Sequence, residues 1–236
     1  MRVFPLAVLI VAGFVASSSA LPAKPRTCRV VFPERPPDAP KSAYLFDGKE
    51  SRRTGLPSMN LAPVIELPSG ELTIAMTSQD VDDPEELAPQ APRLKIPESA
   101  GDCYIVVTPD PENEYLPIKM ELVDPEASKL EQGGMLWFNR TDHRIIARLG
   151  DSKVSIEPQS QSICRSPVIE SGHYSAEFEY QANGEGPKVR ITEQRWWHDI
   201  ESRHLGFIVN TGDKLPKIFF FRDFRVPGQG GDGAAE

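Results

Sequence analysis

The chain has 236 residues, a formal net charge of −8 and 23 prolines. Its length suits one large or two small domains with a sizeable core. Proline at about twice its usual frequency of roughly 5% works against long helices, because it lacks an amide donor and clashes with the preceding turn. Net acidity with scattered Lys and Arg excludes a polyanion binder, which concentrates basic charge on one surface.

Residues 1–20 read as a secretory signal. Arg2 supplies the positive start, Phe4 to Val15 forms an apolar run, and Ser18-Ser19-Ala20 offers small residues for cleavage before Leu21. The run falls short of the about 20 residues a membrane span needs, and no cysteine follows it directly. The expectation is export to the periplasm or the extracellular space, with no stable membrane insertion after cleavage.

The mature chain reads as strands. Arg29 to Phe32 interrupts a proline-dense entry segment. Ala43 to Phe46 closes on Asp47-Gly48, a dipeptide that accepts the positive φ of tight turns. Val64 to Leu67 and Leu72 to Met76 flank Pro68-Ser69-Gly70, and Asp80 to Pro92 is a loop by composition. Arg93 to Ile96, Tyr104 to Thr108 and Pro117 to Val123 are further strands. One short connecting helix is expected next, capped by Asp124, with Pro125 at its first position and Gly133-Gly134 at its end.

Met135 to Pro158 reads as a three-strand antiparallel meander. Leu136 and Phe138 share one face of its first strand, Ile145, Ala147 and Leu149 one face of its second, and Val154 and Ile156 one face of its third. Tyr174, Ala176, Phe178 and Tyr180 then alternate with polar residues, and Val189 and Ile191 do so after Asn183-Gly184, which signals a hairpin. Leu205 to Val209 and Lys217 to Phe221 close the fold, and residues 228–236 form a glycine-rich tail expected to be disordered.

Tyr44-Leu45-Phe46 followed by Val64 to Gly70 echoes Leu136-Trp137-Phe138 followed by Val154 to Ser160. That echo reads as two pseudo-repeated β-rich halves, residues 21–108 and 109–227, meeting at the polar break near 109–116. The fold expectation is therefore an all-β, antiparallel, immunoglobulin-like β-sandwich.

Of the three cysteines, Cys28, Cys103 and Cys164, the first two each open an apolar strand and are the disulfide candidates; the competing reading makes each a small buried hydrophobe. No G-x-S-x-G, G-x-x-x-x-G-K, H-E-x-x-H or C-x-x-C pattern occurs, so no catalytic residue, metal site or cofactor is assigned. Trp196-Trp197-His198-Asp199 is the candidate ligand-binding cluster: indoles offer stacking faces, and a carboxylate can orient an imidazole. Neighbours in a strand face opposite sides, so the plainer reading puts one tryptophan in the core, the other over an edge, and the His-Asp pair in a solvated turn. His143, His173 and His204 show no ligand spacing. Asn139-Arg140-Thr141 matches a glycosylation sequon and is read as an ordinary loop.

Tyr44 to Gly48, Leu56 to Leu61, Leu67 to Gly70, Met135 to Asn139 and Trp197 to Asp199 together resemble a group of uncharacterised exported proteins from bacteria of the Verrucomicrobia and Planctomycetes type. The resemblance spans most of the mature chain, implies export and a β-rich fold, and carries no catalytic residues. The leading functional expectation is a non-enzymatic exported module that contacts a protein partner or an envelope polysaccharide. The alternative is an envelope glycan hydrolase, whose two carboxylates the sequence does not locate.

Overall fold

The computed structural model describes residues 26–181, 186–212 and 214–225. The expected leader with its cleavage point, the Asn183-Gly184 turn and the tail from Gly228 lie outside the described residues. Eight strands come first: β1 (Arg26–Val31), β2 (Ser42–Phe46), β3 (Ser51–Gly55), β4 (Ile65–Leu67), β5 (Leu72–Thr77), β6 (Arg93–Ile96), β7 (Cys103–Pro109) and β8 (Ile118–Val123). Eight more follow: β9 (Met135–Asn139), β10 (Arg144–Leu149), β11 (Ser152–Ile156), β12 (Ser160–Cys164), β13 (Gly172–Gln181), β14 (Lys188–His198), β15 (Arg203–Val209) and β16 (Lys217–Asp223). The protein is all-β, with four sheets of four strands.

The sheets stack in four layers. An outer sheet, β3-β2-β5-β6, packs on an inner sheet, β4-β1-β7-β8; a second inner sheet, β12-β9-β15-β16, packs on a second outer sheet, β11-β10-β13-β14. The two inner sheets press against each other through Val31, Tyr104, Val106 and Val123 on one side and Leu136, Phe138, Leu205 and Phe207 on the other. This explains the unbroken apolar runs. In β7, Cys103, Ile105 and Val107 enter the first outer core while Tyr104 and Val106 enter the central one. In β9, Met135 and Trp137 face one core and Leu136 and Phe138 the other. A strand buried on both faces has no wet side, so its sequence does not alternate.

Several expectations change. The Met135–Pro158 segment is not one meander: β10 and β11 pair in the outer sheet, whereas β9 belongs to the inner sheet between β12 and β15. The chain changes sheets at Asn139, fully buried, whose amide donates to the carbonyls of His143, Ile156 and Glu157 at 2.7, 3.1 and 3.0 Å while its Oδ1 accepts from Thr141. An asparagine so enclosed offers nothing to glycosylation. Residues 109–116 are not a boundary between halves but the turn joining the paired strands β7 and β8.

No α-helix occurs among the described residues. Asp124 does cap a turn, its Oδ1 accepting from Glu126 and Ala127 N–H at 2.9 and 3.1 Å. The turn stops there because Lys129 adopts φ 56° and Leu130 swings into the central core. Two strands left no apolar signature: β3 is Ser-Arg-Arg-Thr-Gly with one buried side chain, and β12 is Ser-Gln-Ser-Ile-Cys with Cys164 alone buried. At the connection level the sheets also differ from an immunoglobulin domain, in which the first two strands lie side by side. Here β1 and β2 lie in opposite sheets, and β1 runs parallel to β7.

The Asp47-Gly48 turn forms as expected, with Gly48 at φ 95° and Asp47 Oδ1 accepting from Lys49 and Glu50 N–H. Gly206 has a different reason to be glycine. It stands opposite Trp137 in the parallel β9–β15 pair, and a Cβ there would lie 2.1 Å from the indole ring. Gly206→Ala should therefore cost about 3 kcal/mol or more, at the upper end of overpacking penalties. Denaturant melts of the variant check this, and an unshifted midpoint would show that Trp137 relaxes freely.

Candidate functional site

The Trp196–Asp199 cluster sits at the end of β14, the exposed edge of the second outer sheet, where the chain turns toward β15 in the inner sheet. The two tryptophans face opposite ways, as strand geometry requires. Trp196 turns inward onto Trp137, Phe178 and Phe220, with ring centroids 6.2, 5.5 and 5.0 Å away, and its Nε1 donates to Gln194 Oε1 at 3.0 Å. Trp197 turns outward, remains 45% exposed and meets the edge of His173 at 5.0 Å. A two-ring stacking platform is thereby absent.

His198 is fully buried rather than solvated. It stacks on His204, the first inward side chain after the turn, at 5.2 Å, and His204 stacks on Phe220 at 4.9 Å. Sequence reasoning did not pair these two histidines. They are six residues apart on strands of different sheets, and only the tight turn 199–202 brings the strands together. Asp199 makes that turn, its Oδ1 accepting from Glu201 N–H at 2.9 Å and its carbonyl from Ser202 N–H at 3.2 Å. Its carboxylate thus caps the backbone and does not hold the imidazole.

Ser166 Oγ lies 2.8 Å from His198 Nε2, a distance that suits a serine nucleophile and its base. The same Oγ lies 2.5 Å from the Val168 carbonyl, which can only accept. The serine proton is therefore spent on Val168, and His198 Nε2–H donates to Ser166 Oγ. His198 Nδ1 then carries a lone pair with no partner among the described residues. In this arrangement the imidazole cannot take the serine proton; the pair instead ties the 165–171 loop to β14. Ser202 Oγ lies 3.2 Å from His204 Nε2 and closes the neighbouring turn in the same way.

These tied loops carry apolar side chains into solvent. Ile169 is 95% exposed and Ile200 39%, and Ser171 Oγ accepts the Ile200 N–H at 3.1 Å, so both loops meet beside Trp197. Elsewhere, a shallow depression at the β7–β8 turn is lined by Asp110, Glu112 and Glu114 with Gln90 and Asn113, and it lies open to solvent. No group of three or more His, Cys, Asp or Glu suited to a metal ion occurs among the described residues. The disulfide candidates Cys28 and Cys103 are in-register partners across the parallel β1–β7 pair, both buried, and stand as free thiols. Burial pushes the Cys103 thiol up to about 12 and raises that of Cys28 further.

Burial pushes both histidines down. His204 falls to about 4, through burial first and then the neighbouring His198, with Arg222 adding to the effect and the Gly134 carbonyl and Asp199 opposing it. His198 falls too, with Asp199 opposing. An unfolded His204 binds its proton near pH 6.5 and the folded one near pH 4. Its contribution is thus complete above pH 6.5 and is lost as the pH falls toward 4, by about 3 kcal/mol. Denaturant melts between pH 7 and 4 should show this slope, flattened in His204→Gln; equal slopes in both proteins would contradict the assignment. No known protein-family model matches this chain, and no curated protein matches it either.

Proposed function

We propose that the chain is an exported, non-enzymatic binding module, built from two copies of one eight-strand unit, that docks a protein partner of the cell envelope on the surface of Ile169, Trp197 and Ile200. The observation that carries this reading is the exposure of Ile169 and Ile200 on two loops that hydrogen bonds pin in place, with Trp197 turned outward at the end of β14. Apolar groups displayed on an ordered surface mark interaction sites more often than scattered single residues do. Aliphatic neighbours favour a protein over a glycan, since a sugar platform needs ring faces bordered by donors and acceptors, and Trp196 is turned away into the core.

The duplication is supported by strand order. Adding eight to each number of 4-1-7-8 and 3-2-5-6 yields 12-9-15-16 and 11-10-13-14, and the parallel pair β1–β7 has its counterpart in β9–β15. On this alignment β1 corresponds to β9, one strand earlier than the short sequence echo places the match. The leader-like residues 1–20 and the resemblance to exported bacterial proteins support export.

The test is a photo-crosslinking residue placed at Ile169 of the full-length chain in its native cells. It should yield a discrete protein adduct that Ile200→Asp removes, while the same probe at exposed Met59 yields none. No adduct, or the same adducts from Met59, would refute the reading; an adduct to envelope polysaccharide would assign the surface to a glycan instead.

A further inference from the structure

The β14 edge carries a second feature, separate from the Ile169 and Ile200 loops. At 11 residues, β14 pairs on one side only, with β13. The corresponding edge in the first half, β6, has 4 residues and packs against β8. A long strand with one unpaired side presents a row of amides and carbonyls to any chain that can lie beside it.

The charges along that edge are incomplete. On its outer face Glu193 stands directly opposite Glu177 of β13, and Arg195 opposite Ser175. Arg190 bridges Glu177 and Glu193 at 3.1 and 2.6 Å, and Arg148 bridges Glu177 and Glu179 at 3.0 and 3.2 Å. Three carboxylates thus share two guanidiniums. Arg195, exposed on the same face, makes no hydrogen bond or ion pair among the described residues.

We propose that the occupant of this edge is a second copy of the chain, its β14 antiparallel to the first about a two-fold axis through Gln194. In that register Glu193 of each copy faces Arg195 of the other, twice, and Thr192 faces Trp196. The unpaired cation and the surplus carboxylate satisfy each other across the axis, because Glu193-Gln194-Arg195 read backwards is its own charge complement. Opposite charges directly across an antiparallel pair stabilise it and like charges oppose it. The same patch on both subunits is the isologous contact that a closed two-fold dimer requires. A foreign strand would have to carry that same reversed charge pattern.

Sedimentation velocity of the full chain over a concentration series tests this. The dimer fraction should rise with concentration, Glu193→Arg and Arg195→Glu should each leave monomer, and the double variant should restore the dimer, with every variant keeping a single cooperative melt. A monomer at every concentration, a dimer indifferent to either single change, or a double variant that stays monomeric would overturn the proposal. The Ile169 crosslink in the Glu193→Arg background reads the partner surface separately, so the two ideas fail independently.

Discussion

Two sheets in this molecule have no face they can show to water. β1, β7, β9 and β15 carry apolar side chains up and down, and the inner sheets they build must each be covered twice: once by an outer sheet and once by each other. Phe138 and Phe207, paired across β9 and β15 and stacked at 4.8 Å, present one side of that contact with Leu205 and Phe221, and Tyr104 and Val106 present the other. Burial of this kind contributes roughly 25 cal/mol per Å² of apolar surface, so neither half can leave the central face open without a large loss. The four-layer stack is what remains when each inner sheet finds a cover for both of its faces.

One set of buried polar groups binds the halves together. Asp223 at the end of β16 is 1% exposed and accepts from Tyr104 Oη at 2.7 Å, Arg29 at 2.9 Å and Arg225 Nε at 2.8 Å. Burial alone would raise its pKa; Arg225, foremost among these partners, holds it below the usual carboxylate range. Arg225 also donates to Thr27 Oγ1 and the Cys103 carbonyl, which fastens the segment after β16 to β1 and β7 of the first inner sheet. A buried charge set of this kind adds less energy than its contacts suggest, but losing one member leaves the others unpaired. The His198–His204 stack is the uncharged counterpart on the opposite face of the same inner sheet, closing the loops that display Ile169 and Ile200.

Where one face of a strand is wet, the sequence announced it. Tyr174, Ala176, Phe178 and Tyr180 alternate as expected and face the core, and the same holds for Ile145, Ala147, Leu149, Val154 and Ile156. Where both faces are dry the two-residue rhythm vanishes, and Met135-Leu136-Trp137-Phe138 read as a strand with one dry face, that of Leu136 and Phe138, where both faces are buried. Edge strands failed for the opposite reason: β3 and β12 are held by backbone pairing, which leaves little mark on side-chain type. The same limit applied to the candidate site. Trp196 and Trp197 were legible as a strand pair facing opposite sides, but Ser166, Ser202 and His204 join His198 through sheet crossings that no local spacing encodes.

The interface between the inner sheets makes the two halves one folding unit. The chain supplies its own probes, since Trp137, Trp196 and Trp197 all lie in the second half while Cys28 and Cys103 are buried in the first. Tryptophan fluorescence and mass-resolved thiol labelling of Cys28 and Cys103, followed through one urea titration, should report a single shared midpoint. Two separated transitions, with the thiols exposed while the indoles stay packed or the reverse, would contradict it.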